Sequence, residues 1–136
     1  FALTSICFIF TTVIVILQIQ IVNYFNKPTL LKVHYNGDFN GTAIDFKTDG
    51  TYIFDNSSIG FSDYYYGVYQ INDYKITLDR DTIDNLINLK HLELREKRIE
   101  YESGGKNELY LYSVDVNSNI IDRATEYRVV VDNREN

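Results

Sequence analysis

Thr42-Ala43-Ile44-Asp45-Phe46-Lys47-Thr48-Asp49-Gly50-Thr51-Tyr52-Ile53-Phe54 decides how the rest of this chain is read. Thr42, Ile44 and Phe46 alternate with Ala43, Asp45 and Lys47. That period of two sends one set of side chains to each face of a pleated strand. Asp49-Gly50 then supplies a tight turn, because glycine enters positive φ without a Cβ clash. Thr51 to Phe54 returns as the second strand of a hairpin.

Outward from this hairpin the same grammar repeats. Leu30 to Tyr35 reads as a strand closed by Asn36-Gly37. After Phe54 a polar loop is expected from Asp55 to Asp63, then a strand from Tyr64 to Ile71, a turn at Asn72-Asp73 and a strand from Tyr74 to Leu78. Asp79 to Leu89 is the one stretch with helical spacing. Ile83, Leu86, Ile87 and Lys90 follow Asp81, a residue suited to an N-cap, so one or two helical turns are expected. His91 to Tyr101 reads as a charged strand or strand pair, and Ser103-Gly104-Gly105-Lys106 as a turn. Glu108 to Val114 is a strand, Asp115 to Asn119 a loop, and Tyr127 to Val131 the last strand. Short strands joined by hairpins, a single proline and no crossover helices define the class as mainly β. The expectation over 27–136 is a small antiparallel barrel or sandwich of about seven to nine strands.

The opening of the chain obeys different rules. Phe1 to Val22 reads FALTSICFIFTTVIVILQIQIV, and the first 26 residues contain no charge. About 20 such residues, rising 1.5 Å each, cross a hydrocarbon core of about 30 Å. Gln18 and Gln20 are its strongly polar members; Asn23 to Lys27 form an aromatic and polar belt, and Pro28 ends the helix. Two other readings fit less well. A cleaved signal peptide has a shorter apolar run followed by a small-x-small site. A core helix of so small a domain is not apolar all round. Ile6 also stands where a lipoprotein signal needs a small residue before its cysteine. The expected organisation is a transmembrane helix over 1–26 and a β domain over 27–136, single-pass, with the β domain on the outer side. The chain opens on Phe, so residues upstream are expected as well.

All 13 Lys and Arg and all 19 Asp and Glu lie at or beyond Lys27, so the net charge of −6 belongs to the β domain. Nucleic-acid affinity comes largely from basic residues neutralising phosphates, and that partner class is not expected. Docking by charge on anionic lipid is disfavoured for the same reason. A single cysteine, Cys7, cannot form a disulfide within the chain or a thiolate metal site.

Phe46-Lys47-Thr48-Asp49-Gly50-Thr51-Tyr52, Tyr66-Gly67-Val68-Tyr69-Gln70-Ile71 and Lys75-Ile76-Thr77-Leu78 form a series. It resembles the lipocalin-like small β-barrel domains of bacterial envelope proteins, in which an F-x-x-D-G-T-Y/F hairpin precedes a G-x-Y/W-x-I strand and an I-T-L strand. The resemblance covers about a quarter of the chain, in turn and core residues, and implies a small envelope β-barrel while carrying over no site. No Trp stands where the strand-opening aromatic often does, and an apolar helix takes the place of the more usual lipoprotein signal.

Candidate chemistry is sparse. Tyr64, Tyr66 and Val68 share one face of a strand, and Tyr65, Gly67 and Tyr69 the other. Tyrosine combines large contact area with low rotamer entropy, so Tyr64, Tyr65, Tyr66 and Tyr69 are the candidate binding residues. Cross-strand aromatic pairing explains the same residues structurally, and Gly67 marks a bulge or a close approach. Asp79, Asp81 and Asp84 could offer oxygen ligands to a cation, but without the glycine and distant glutamate of a calcium loop; capping explains Asp81 more simply. His34 and His91 read as solvated strand residues. Asn40-Gly41-Thr42 and Asn56-Ser57-Ser58 match glycosylation sequons, and the mixed charges of Glu93 to Glu100 suit an edge strand. Nucleophile, phosphate-loop and dinucleotide motifs do not occur.

The reading is therefore a non-catalytic, membrane-anchored module that binds a protein through a tyrosine-rich acidic surface, an immunity-type inhibitor being one form. The alternative is a calyx holding a small apolar ligand. No cofactor or metal is expected; the expected partners are membrane lipid around the helix and a protein.

Overall fold

A computed structural model describes residues 2–37, 40–84 and 87–134. Helix α1 (Ala2–Phe25) opens the chain. Its side chains from Ser5 onward stay exposed apart from a half-covered Tyr24, so it is not a core helix of the domain. Ser5–Phe25 is long and apolar enough to cross a membrane. The chain then runs β1 (Thr29–Asn36), β2 (Asn40–Lys47), β3 (Thr51–Ser58), β4 (Phe61–Asn72) and β5 (Lys75–Leu78). Two short strands, β6 (Thr82–Ile83) and β7 (Ile87–Asn88), precede β8 (His91–Tyr101), β9 (Gly104–Ser113) and β10 (Tyr127–Asp132).

Eight of these strands form one antiparallel sheet in the order β1-β10-β9-β8-β5-β4-β3-β2. β1 pairs with β2 along one edge and with β10 along the other, so the sheet closes on itself. The alternation read from the sequence becomes an inside and an outside. Leu31, Val33, Ile44, Phe46, Tyr52, Phe54, Tyr69, Ile76, Leu78, Leu92, Leu94, Leu111 and Tyr127 turn inward into one cluster, with Ile83 and Leu89 from the β6–β7 insert. Full burial of such side chains stabilises by about 1.5–3 kcal/mol each, before the chain entropy that ordering costs. At the β2–β3 turn Gly50 takes φ +82, and Asp49 Oδ1 accepts from the Thr51 amide at 3.1 Å and the Thr51 hydroxyl at 2.6 Å.

Two expectations are corrected. Where the helical turns are expected, the described residues between Asp79 and Leu89 form the β6–β7 hairpin, Asn85 and Leu86 lying outside the described residues. Asp84 sits at φ +59, incompatible with a helical turn, while Ile83 and Leu89 are both drawn into the core. Asp81 pairs with Lys90 at 2.9 Å. The polar stretch from Asp55 to Asp63 is not a loop. Pairing of β3 with β4 continues to Ser58↔Phe61 and reverses at Ile59-Gly60. Polar side chains do not end a strand whose backbone is paired on both edges, and β2 follows β3 out to Asn40↔Ser58.

The charged β8 is paired on both sides only at its start. β5 reaches Glu93, whereas β9 follows β8 to Tyr101↔Gly104, so the remainder projects as a two-stranded ribbon. Its mixed charges sit where one backbone edge is open.

Gly67 lies across from Tyr52 in the β3–β4 pairing. A Cβ there would meet Asp79 Oδ1 at 2.5 Å and the Tyr52 ring and hydroxyl at 2.6 Å. Tyr52 is fully buried and its hydroxyl donates to Asp79 Oδ1 at 3.1 Å, so the ring has nowhere to retreat. The close approach expected of Gly67 is thus made by a side chain. Gly67→Ala is expected to lower the unfolding free energy by about 1–3 kcal/mol, as overpacked cores do. Chemical denaturation followed by tyrosine fluorescence checks this, and an unchanged midpoint would mean that Tyr52 can move.

Candidate functional site: an aromatic joint between helix and sheet

The four candidate tyrosines part company in the structure. Tyr69 points inward at 8% exposure, lies edge-on to Phe46 at 4.9 Å and donates its hydroxyl to the Lys47 carbonyl at 2.7 Å. Burial pushes that hydroxyl up to about 12, with the Asp49 carboxylate adding to the shift. Tyr69 is a core residue and offers no surface to a partner, contrary to expectation. Tyr65 is half-buried at one mouth of the sheet, edge-on to Phe54 at 6.2 Å. The Asp84 carboxylate, accepting its hydroxyl's hydrogen bond, raises its pKa. Asn56 Nδ2 donates to the same carboxylate at 3.1 Å, which ties the β6–β7 insert to β3 and β4.

Tyr64 and Tyr66 stand on the outer face at 46% and 41% exposure, and both meet the end of α1. Tyr66 lies edge-on to Tyr24 at 4.9 Å and to Phe25 at 6.1 Å; Tyr64 lies edge-on to Phe25 at 5.8 Å. Edge-to-face pairs of this kind contribute about 0.5–1.5 kcal/mol each beyond their buried area. Desolvation raises the Tyr66 hydroxyl, with Tyr24 and Tyr64 adding to it. The Tyr24 hydroxyl donates to the Tyr52 carbonyl at 3.4 Å, and Lys27 Nζ lies 4.6 Å from the Tyr24 ring centre.

Beneath the rings lies a polar clasp. Lys47 is outward on β2 by its strand period, yet only 2% exposed, because the helix end covers it. Its ammonium donates to Asp45 Oδ2 at 2.8 Å and to the Phe25 carbonyl and Thr29 Oγ1 at 3.4 Å each. Thr29 Oγ1 in turn donates to Asp45 Oδ1 at 2.8 Å. A helix ends with carbonyls that lack an intrahelical partner and carry partial negative charge, so a lysine from the sheet is a suitable cap. Lys27 pairs with Asp49 at 2.6 Å, and the Thr48 amide donates to the Pro28 carbonyl at 3.0 Å. The Lys27 ammonium, with help from Thr51, holds the Asp49 carboxyl down to about 2.

Lys47, Asp45, Tyr24 and Phe25 are the members that sequence reasoning missed as a group. The strand period gives Asp45 and Lys47 a common face, but nothing local says that a helix end covers it. The joint borders a groove of about 400 Å³ lined by Leu17, Gln20, Ile21, Tyr24, Phe25 and Tyr66. The other candidates disperse. Asp79 engages Tyr52 and Arg80, Asp81 engages Lys90 and Asp84 engages Asn56. Among the described residues no three His, Cys, Asp or Glu side chains are grouped to hold a metal. His34 is exposed on β1 and His91 is half-exposed at the start of β8.

Chemically the joint is a clamp. Removing Lys47 alone strands Asp45, and Lys47→Met is expected to cost about 2–4 kcal/mol, tempered because Asp45 keeps partial access to water. Asp49 titrates lower when folded than its ordinary 3.8, so its contribution is complete above about pH 4 and is lost as the pH falls through about 2. Denaturant midpoints of the intact chain and of Asp49→Asn should differ at pH 6 and converge towards pH 2; a constant difference would place the effect elsewhere. Compared with protein-family models, with curated proteins and with solved structures, the chain shows no match.

Proposed function

We propose that α1 spans a membrane and that the chain is a single-pass, non-catalytic binding module whose closed sheet is a small lipocalin-like barrel. The clamp carries this reading: the last turn of α1 is held to the outer wall of the sheet by Tyr64, Tyr66 and Lys47. A tether needs no such contacts. A domain that must present one face at a set height and angle does.

The face so presented runs along β4 and the adjoining groove. Tyr64 and Tyr66 keep part of their rings exposed beside α1, and the groove continues upward between Tyr66 and Leu17, Gln20 and Ile21 of the apolar span. A partner reaching this surface approaches in the plane of the bilayer. The fitting class is therefore a membrane-embedded protein, with basic residues flanking its own span to meet the acidic domain. An interior calyx for an apolar ligand has less support. Inward side chains from all eight strands pack into one cluster. A cavity of about 410 Å³ lies between Leu89, Ser113, Asp122, Thr125 and Tyr127.

A photoreactive phenylalanine at Tyr64 of the full chain, in its own membrane, tests the reading. One saturable protein adduct is expected, falling several-fold between 0.1 M and 1 M salt, as screening shortens from about 10 Å to about 3 Å. Adducts to lipid alone would overturn protein binding at this face. Release of the chain by alkaline carbonate washing would overturn the anchor.

A further inference from the structure

The β3–β4 hairpin ends in a tip unlike the rest of the acidic surface. Ile59 in its turn and Phe61 just after it are 78% and 77% exposed. No residue from Asn56 to Ser62 is charged; Asp55 and Asp63 bound the stretch. The hydroxyls of Ser57 and Ser62 lie 3.0 Å apart, holding the hairpin closed beneath the two apolar side chains. Scattered apolar residues on a surface need no explanation, but a pair on an uncharged tip, continuous with an aromatic face, does.

Contacts along the joint fix where that tip points. Lys27 meets Asp49 at the β2–β3 turn, at the other end of the hairpin from Ile59. Three and two residues earlier in the chain, Tyr24 lies on Tyr66 and reaches the Tyr52 carbonyl, and Phe25 extends to Tyr64. From Lys27 back to the Tyr24–Phe25 pair the contacts thus step from the Asp49 turn to Tyr66 and Tyr64, towards the tip, and the end of α1 lies on the tip's side of that turn. The apolar span Ser5–Phe25 is 21 residues, about 31 Å at 1.5 Å per residue, which matches a hydrocarbon core of about 30 Å and places Phe25 at its boundary. Tyr64, in ring contact with Phe25, then stands at headgroup level. Phe61 lies three residues further along the strand, about 10 Å at about 3.3 Å per residue, against a headgroup layer of about 5–8 Å.

We propose that the β3–β4 tip is a second, shallow membrane contact, in which Ile59 and Phe61 enter the leaflet from which α1 emerges. This rests on α1 spanning the membrane. The contact is apolar, not electrostatic. The tip carries no Lys or Arg and the chain is at −6, so the fitting surface is one of uncharged net headgroup, such as phosphatidylcholine. With α1 as one attachment and the tip as another, the domain cannot swivel about the helix end. The β6–β7 insert, tied to Asn56 and Tyr65 through Asp84, then faces the lipid.

The chain contains no Trp, so a single introduced one is a clean depth reporter. Phe61→Trp, in the full chain reconstituted into phosphatidylcholine vesicles, is expected to emit at shorter wavelength. It should be quenched several-fold more by lipids brominated near the headgroup than by aqueous iodide. Adding Ile59→Ser should reduce the lipid quenching several-fold, and anionic phosphatidylserine should not increase it. Tyr101→Trp, on the ribbon turn at the opposite end of the sheet, should remain open to iodide. Ile14→Trp, within α1, should be quenched by deeply brominated lipid. Iodide access at the tip reporter equal to that at the ribbon reporter, with the helix reporter still deep, would overturn the tip contact and leave the span standing. An aqueous helix reporter would overturn the span and the tip together. Lipid quenching at the ribbon equal to that at the tip would mean that the whole domain lies on the surface, which also overturns the proposal. So would shielding of the tip reporter that rises with protein concentration and not with lipid.

Discussion

The pairing of β1 along both its edges is the constraint on which the rest depends. With β2 on one side and β10 on the other, the sheet has no open seam, and its inward side chains enclose a core. β1 achieves this with register shifts against both neighbours, between Lys32 and Val33 towards β10 and between Thr29 and Leu31 towards β2. Such irregularities bend and twist a strand, which closure of so small a sheet requires. Three residues, Asn26, Lys27 and Pro28, separate the same strand from the end of α1. The strand that closes the sheet is therefore the strand that carries the helix, and a load on one is felt by the other.

That coupling explains why the joint is so heavily furnished. Lys47 is the informative member. A buried ammonium is unfavourable unless paired and hydrogen-bonded, and here it has a carboxylate, a hydroxyl and a helix-end carbonyl. The lysine thus completes three structures at once: the outer face of β2, the start of β1 and the C-terminus of α1. The rings of Tyr24, Phe25, Tyr64 and Tyr66 pack edge to face beside it. A tyrosine-rich strand that resembles a partner-binding patch is, in large part, the protein's contact with its own helix.

Several elements were legible because their signals are local. Asp49-Gly50 between two alternating runs specifies a hairpin by backbone geometry alone, and the β2 faces follow from the period of two. Asp79 to Leu89 is misleading for a local reason too: Ile83, Leu86, Ile87 and Lys90 are spaced like a helical stripe, yet Ile83 and the neighbouring Leu89 are anchored in the core on either side of a short β6–β7 hairpin. The polar composition of Asp55 to Asp63 points to a loop, whereas backbone pairing to β2 on the far side of β3 makes it strand as far as Ser58. Tyr69 and Tyr66 have the same side chain three residues apart. Only the direction of the pleat relative to the enclosed core makes one buried and the other part of the joint.

What the amino-acid order determined by itself is the division of the chain. An ion-free apolar helix precedes an acidic domain of pleated strands, because charge, hydropathy and turn chemistry act over a few residues at a time. What only the tertiary structure decided is closure, the burial of Lys47 and Tyr69, and the seating of Tyr64 and Tyr66 on the helix end. Each of these joins residues distant along the chain, Phe25 with Lys47 or Leu31 with Asp132, and no local pattern encodes which distant surface will arrive to cover a given face.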